Sequence, residues 1–390
     1  MLPRPFNEDH HAFRAAFRKF VEKEAVPHIE RWREQGIVDR EMYTKAGEQG
    51  FLMLWPGEEY GGPGLEDFRY EQIAIEEVWY ALAGDWFASL HSRLVGPYFK
   101  HFGNEEQRQR FLPKCVTGET ILAIGMTEPD AGSDLAGMRT TAKDMGDYWL
   151  LNGAKTYISN GILADVVVVA AKTDPENNKH AMGLFLVERG MPGFERGRQL
   201  KKMGHMAQDT AELFFNNVKI PKANVLGDPT KGFQYMMQGL AEERLLAGCE
   251  FISAAHKAFD ITVDFVKQRK AFGKRVADFQ NTQFKLAEMR TQLDVAQVYL
   301  DQCVAAHNEG KLSAVDAAKL KLFISELQGR VVDECLQLHG GAGFMDEYPI
   351  SRLYRDARIT RIYGGTSEIM KLIISRDVLS ENFKLFVDRD

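Results

Sequence analysis

The chain has 390 residues, 45% of them hydrophobic, 27% charged and 11% aromatic, proportions of an ordinary folded protein that argue against disordered, collagen-like and disulfide-scaffold chains. With 49 basic residues against 55 acidic ones the net charge is −6, so the chain offers no overall cationic field to nucleic acid or anionic lipid, and no nucleic-acid partner is expected. The longest strongly apolar run, Val166 to Ala171, is far short of the ~20 residues a membrane-spanning helix requires, so no membrane span is expected.

At roughly 150 residues per domain the length suggests two or three packed units. The four cysteines, Cys115, Cys249, Cys303 and Cys335, are scattered and read as small buried hydrophobes in a reducing compartment. The N-terminal stretch lacks the apolar core of a secretory signal, and its acidic residues come early for a transit peptide. The expected location is the cytoplasm, or the mitochondrial matrix if a presequence has been removed.

Three zones follow in chain order. Residues 1–120 are helical in pattern, with Phe13, Phe17, Phe20 and Val21 at three- and four-residue spacing. Pro56, the Gly61–Gly64 cluster and Pro97 are expected to end successive segments, and Asn104 to cap a helix that stops ahead of Pro113. Residues 121–230 shift to strand spacing at Tyr148–Leu151, Thr156–Ser159, Val166–Ala171, Gly183–Val187 and Glu212–Phe215. Asn152-Gly153 between the first two is the preferred pair for a tight hairpin turn. In residues 231–390 helical spacing returns over approximately 233–268, 279–309, 313–338 and 366–383, which suggests a four-helix bundle.

The chemistry-bearing strings begin with Met126-Thr127-Glu128-Pro129-Asp130-Ala131-Gly132-Ser133-Asp134, a strand end running into hydroxyls, small residues and glycine, where backbone amides can approach a flat or anionic ligand. By residue type alone such a run is ordinarily a turn. The whole string, however, resembles the signature of the acyl-CoA dehydrogenase family. Tyr157-Ile158-Ser159-Asn160-Gly161, Arg269-Lys270-Ala271-Phe272-Gly273-Lys274, Gln280, Gln337-Leu338-His339-Gly340-Gly341 and Tyr363-Gly364-Gly365-Thr366-Ser367-Glu368 follow in that family's order and approximate spacing. Within it the chain looks most like the long-chain enzymes, through His91-Ser92, Lys202-Met203-Gly204 and Tyr363 to Thr366.

The resemblance implies an α+β fold: a helical N-terminal domain, a middle β-barrel or sandwich domain, and a C-terminal four-helix bundle. It implies FAD, with Met126, Thr127, Ser133, Tyr157, Ile158 and Ser159 along or behind the flavin. Arg269, Phe272, Gln280, Gln337, Leu338, Gly340 and Gly341 would meet the pyrophosphate side of a neighbouring subunit's cofactor in a homotetramer, and Thr366 and Glu368 its adenosine portion. Acyl-CoA would be the substrate, touched by Ser133, Arg244, Gly364 and Gly365, and an electron-transferring flavoprotein the electron acceptor. The implied reaction is α,β-dehydrogenation of an acyl thioester to its trans-2-enoyl product in fatty-acid β-oxidation. A flavin oxidase or monooxygenase on the same scaffold, or a silent acyl-CoA-binding protein, are the alternatives.

No GxGxxG follows an early strand, so a nicotinamide site has no support. His10, His11, His91 and His339 do not form a ligand set at recognised spacing, and no metal is expected. His339 beside its Gly-Gly turn reads as a packing residue.

Abstraction of an α proton needs a carboxylate with its pKa lifted by desolvation. Many relatives carry that glutamate where this chain has Gly364. In the long-chain and isovaleryl branches it stands instead directly before the arginine of the segment Leu240-Ala241-Glu242-Glu243-Arg244, which the resemblance equates with Glu243. On a helix Glu242 and Glu243 lie about 100° apart, so only one can face a given pocket. Leu240, Leu246 and Ala247 give Glu243 an apolar face, but Glu242 has Leu245 and Leu246 at three and four, so spacing leaves both open.

Overall fold

The computed structural model describes residues 2–178, 180–381 and 383. The chain divides into two compact units: Asn7–Gly239, and the residues from Leu240 on together with the segment up to Phe6.

The first unit opens with six helices: α1 Glu8–Glu24, α2 Ile29–Gln35, α3 Glu41–Glu48, α4 Phe68–Tyr80, α5 Gly96–Phe102 and α6 Glu105–Val116. Apolar residues at helical spacing build the core between α1 and α4, where Phe13, Phe17, Phe20 and Phe51 stack edge to face and tilted. Asn104 caps α6 as its sequence predicts: its Oδ1 accepts from the Gln107 N–H at 2.8 Å, and the Gln107 side chain returns the bond to the Asn104 N–H at 3.0 Å. One proline expectation is corrected. α6 continues through Pro113, because one missing donor near its end weighs less than burying Phe111, Leu112, Cys115 and Val116. The π-helical turn Leu90–Val95 ends just ahead of Pro97, which lies in the first turn of α5.

The same unit then forms β1 Leu122–Gly125, β2 Thr141–Asp144, β3 Tyr148–Ser159, β4 Val166–Lys172, β5 Met182–Glu188, β6 Phe194–Gln199, β7 Thr210–Pro221 and β8 Val225–Leu226. They make one eight-stranded sheet in the order β6-β7-β3-β2-β4-β5-β8, with β1 parallel to β4. β4 is buried on both faces, which is why it reads as an unbroken apolar run. Trp149, Leu151, Val167, Val169, Phe185, Val187, Leu213, Phe215 and Val218 fill the core beside it.

The expected hairpin at Asn152-Gly153 is absent: both residues lie within the continuous β3, at a bulge where the register against β7 shifts. Gly153 is demanded by close approach, since a Cβ there would fall 2.4 Å from Thr140 Oγ1. Asn152 instead pairs across the sheet with Asn217. The strand end expected ahead of Met126 is β1, while the spacing missed β2, the short β8 and the charged edge strand β6.

The second unit holds most of α7 Gly232–Gln268, then the short hairpin β9 Lys270–Ala271 and β10 Lys274–Arg275, α8 Gln280–Asn308, α9 Ala314–His339, α10 Pro349–Ala357 and α11 Ser367–Val378. Three long helices and the start of the fourth match the expected spans; α11 ends five residues early, and α10 was not foreseen. The four cysteines are buried, and none forms a disulfide among the described residues. No helix among the described residues is long and apolar enough to cross a membrane.

Candidate active site

In the first unit, β1 delivers Met126 and Thr127 to the loop that ends at Asp134. Thr127 is tied to β3, its carbonyl accepting from the Thr156 N–H at 2.9 Å. The Lys155 ammonium lies beneath, donating to the Met126 carbonyl (3.1 Å) and to Glu128 Oε1 (2.8 Å). Glu128 closes the loop from the other end by accepting from the backbone N–H groups of Arg139 (2.6 Å) and Thr140 (3.0 Å). Burial pushes the Glu128 carboxyl up, but Lys155 and these donors outweigh it and hold it below the usual carboxylate range.

Directly after Lys155 the strand bulges, and Tyr157 takes a left-handed φ of 59° with its ring 69% exposed. An exposed aromatic ring on strained backbone stands beside a loop anchored from below. Ile158 is buried behind it, and Ser133 and Ser159 reach the surface or lie half-buried. Asn160, also left-handed, locks the far side by donating to the Leu122 carbonyl at 3.2 Å.

In the second unit, Arg269 precedes a two-strand hairpin whose turn residues Phe272 and Gly273 have φ of 50° and 78°. Phe272 is 95% exposed at its tip, and Arg269 and Gln280 are exposed nearby in the chain. α9 ends at the Gln337–Gly341 turn, where Gly340 has φ 58° and neither Gly340 nor Gly341 has an atom within 4 Å of an added Cβ, an open stretch of backbone. His339 packs there as expected, stacked on Phe265 at 4.2 Å with Nδ1 on the Cys335 carbonyl. Thr366 caps α11 through the Ile369 N–H, and Glu368 lies in its first turn.

α7 carries the two candidate carboxylates to different surroundings. Glu242 faces His307 of α8, with 3.7 Å between Oε2 and Nε2. Glu243 is half-buried, and seven residues later, about 20° from its direction on the helix, the buried Glu250 accepts from the Tyr363 hydroxyl at 3.4 Å. Phe251 meets the Tyr363 ring edge-on. The helix face of Glu243 is therefore the one turned to the Tyr363–Gly365 segment. Arg244 is buried, its Nε without an acceptor among the described residues; burial pushes its pKa down and Glu243 pulls it up.

Lys321 of α9, fully buried, donates to the Gly365 carbonyl at 2.6 Å. Its pKa is pushed down to about 8 by burial and by the Arg244 cation, against Glu326 and Glu368. Gly364 has φ 63° and open space at its Cβ position. Lys155, Glu250 and Lys321 were not singled out from sequence. The available signal was a charged residue on an apolar face: Lys155 between Leu151 and Ile158 in β3, and Lys321 among Ala317, Leu320 and Ile324 in α9.

Three family models cover the chain: the acyl-CoA dehydrogenase N-terminal domain over residues 7–119, the middle domain over 123–218 and the C-terminal domain over 230–379. The long-chain specific acyl-CoA dehydrogenase, mitochondrial, of Sus scrofa is 47% identical over 382 residues, 97% of this chain and 89% of that protein. The crystal structure of acyl-CoA dehydrogenase from Geobacillus kaustophilus superposes with a TM-score of 0.95 at 49% identity, over 97% of this chain and all of that one. A glutaryl-CoA dehydrogenase of Mycobacterium smegmatis solved in complex with FADH2 gives 0.89 at 29% identity, over 97% of each chain. Motif order, fold and these matches agree: the chain belongs to the acyl-CoA dehydrogenase family of flavoprotein oxidoreductases, which act on the CH–CH group of acyl-CoA.

Proposed function

We propose that the chain oxidises long-chain or branched acyl-CoA to the trans-2-enoyl-CoA in fatty-acid β-oxidation, with Glu243 as the base. The observation that carries this is the shared face of Glu243 and Glu250 on α7, with Glu250 bonded to Tyr363, the neighbour of the two glycines. A half-buried carboxylate flanked in the chain by Leu240, Leu246 and Ala247 would serve as the base for the carbon beside a thioester. The N–H groups of the glycine turn would polarise the thioester oxygen. Arg244 would anchor the substrate or orient the pocket.

FAD is the fitting cofactor. The exposed Tyr157 ring and the anchored 126–134 loop suit a flat ring, with Met126, Thr127, Ser133, Ile158 and Ser159 around it. The open Gly340-Gly341 backbone suits the pyrophosphate of a neighbouring subunit's FAD. When bound, FAD supplies the acceptor for the β hydrogen and its electron pair, which an electron-transferring flavoprotein would then receive. Arg269, Phe272, Gln280, Gln337 and Leu338 stand exposed or half-exposed and would serve a neighbouring subunit's FAD in a homotetramer, with Thr366 and Glu368 beside the adenosine. The proposed location is the cytoplasm or, as for the mitochondrial relatives, the mitochondrial matrix.

Glu243→Gln tests the assignment. Turnover should fall by roughly 10²-fold or more with flavin retained; activity within about threefold of the parent rules Glu243 out as base.

A further inference from the structure

The Tyr363–Ser367 segment is fastened at both ends. Tyr363 is held by Glu250 and Phe251, and the Ser367 hydroxyl donates to Glu326 at 2.7 Å. Between these anchors lie two glycines with φ of 63° and 91°. Adjacent glycines form the most flexible joint a chain can have. The amides of Gly364 and Gly365 donate to no acceptor among the described residues, so no backbone bond of their own holds them. One polar contact fixes the joint, the 2.6 Å bond from the buried Lys321 ammonium to the Gly365 carbonyl.

A trans peptide carries its carbonyl and the next N–H on opposite sides. Anchoring the Gly365 carbonyl fixes the plane of the Gly365–Thr366 peptide, and so pins the C-terminal side of the glycine turn and restricts the room in which the preceding Gly364–Gly365 peptide can flip. Burying an ammonium against a neutral carbonyl, beside the Arg244 cation, is costly. A carbonyl acceptor returns less than a carboxylate would, so stability alone is a poor reason for Lys321.

We propose that Lys321 is a positioning residue for the dehydrogenation, locking the glycine turn in the orientation that presents its N–H groups to the thioester oxygen. This rests on the function proposed above and adds a residue that reaches the substrate only through the turn.

Lys321→Met removes the ammonium and leaves an apolar side chain of similar length, a replacement buried sites commonly tolerate. In the flavin-loaded enzyme we expect kcat to fall at least about tenfold with KM for acyl-CoA within about threefold. The C=O stretch of bound, carbonyl-labelled enoyl-CoA should move toward its frequency in water. Gly365→Ala disturbs the same peptide with Lys321 in place, since its Cβ would sit 2.7 Å from Met370 Cε, and should give the same signature. If Lys321→Met does not fold, Gly365→Ala decides alone.

Either variant, folded and loaded with flavin, that keeps kcat within about threefold and leaves the carbonyl stretch unmoved overturns the proposal. An active Glu243→Gln enzyme would end the base assignment while leaving the carbonyl measurement to judge Lys321 separately.

Discussion

Lys155 and Glu128 are joined at 2.8 Å with side chains 0% and 5% exposed, a buried ion pair that ties the 126–134 loop to the strand leading into Tyr157. Burial pushes the Lys155 ammonium down to about 8, against the pull of Glu128. Both groups are charged at neutral pH, and each depends on the other. Lys155→Met leaves the carboxylate buried without its cation and should cost about 3–5 kcal/mol, read as a lower melting temperature together with weaker FAD binding. The Lys155→Met/Glu128→Met double variant should recover much of the melting temperature but not the FAD affinity. A single variant that melts and binds like the parent would show that the pair does not hold the loop.

Tyr157 contributes little to the core, since its ring is mostly exposed and its backbone is left-handed. Tyr157→Ala should leave the melting temperature of the apoprotein nearly unchanged and weaken FAD binding about three- to tenfold, the worth of one aromatic stack. Titration of the apoprotein with FAD measures this directly. Equal affinity would remove Tyr157 from the cofactor site.

Gly364 can be given a side chain at modest cost. Nothing lies within 4 Å of an added Cβ, and φ 63° is a conformation non-glycine residues adopt at about 1–2 kcal/mol. In the Glu243→Gln background, Gly364→Glu should restore turnover at least about tenfold over the single variant. A folded, flavin-loaded double variant without recovery would mean that the two positions do not address the same carbon.

His91 is fully buried between the Cys115 carbonyl, 3.0 Å from Nε2, and the Leu122 N–H, which donates to Nδ1 at 3.1 Å. This arrangement requires the neutral ring, and burial pushes its pKa from 6.5 down to about 4. Between these values the unfolded chain binds the proton and the folded one does not, so stability is fully present above pH 6.5 and falls as pH drops toward 4. From pH 7 to 5 the loss should be about 2 kcal/mol from this group. Thermal melts across that range should show a flatter slope for His91→Gln than for the parent. Parallel slopes would exclude His91 as a source of acid sensitivity.

Much of the fold was legible because local chemistry wrote it. The Asn104 cap depends on side chains three residues apart, and the double-sided burial of β4 follows from an unbroken apolar run. The strings around Met126, Tyr157, Gln337 and Thr366 located the candidate site segments. The charged strand β6 was not legible, because an edge strand needs no alternating apolar pattern.

By itself the sequence determined where the long helices and most of the sheet lie and which strings resemble those of the family, and it left Glu242 and Glu243 both open as candidates for the base. Only the tertiary structure decided what each face meets. It made Gly153 a point of close approach to Thr140 instead of a turn, sent Glu242 toward His307, and put Glu243 on the face of Glu250 and Tyr363. It also paired Lys155 with Glu128 and set Lys321 under Gly365, 44 residues away in the chain. The reason is physical: periodicity and capping act over three or four residues, whereas burial and the partner of a buried charge are set by residues that only folding brings together.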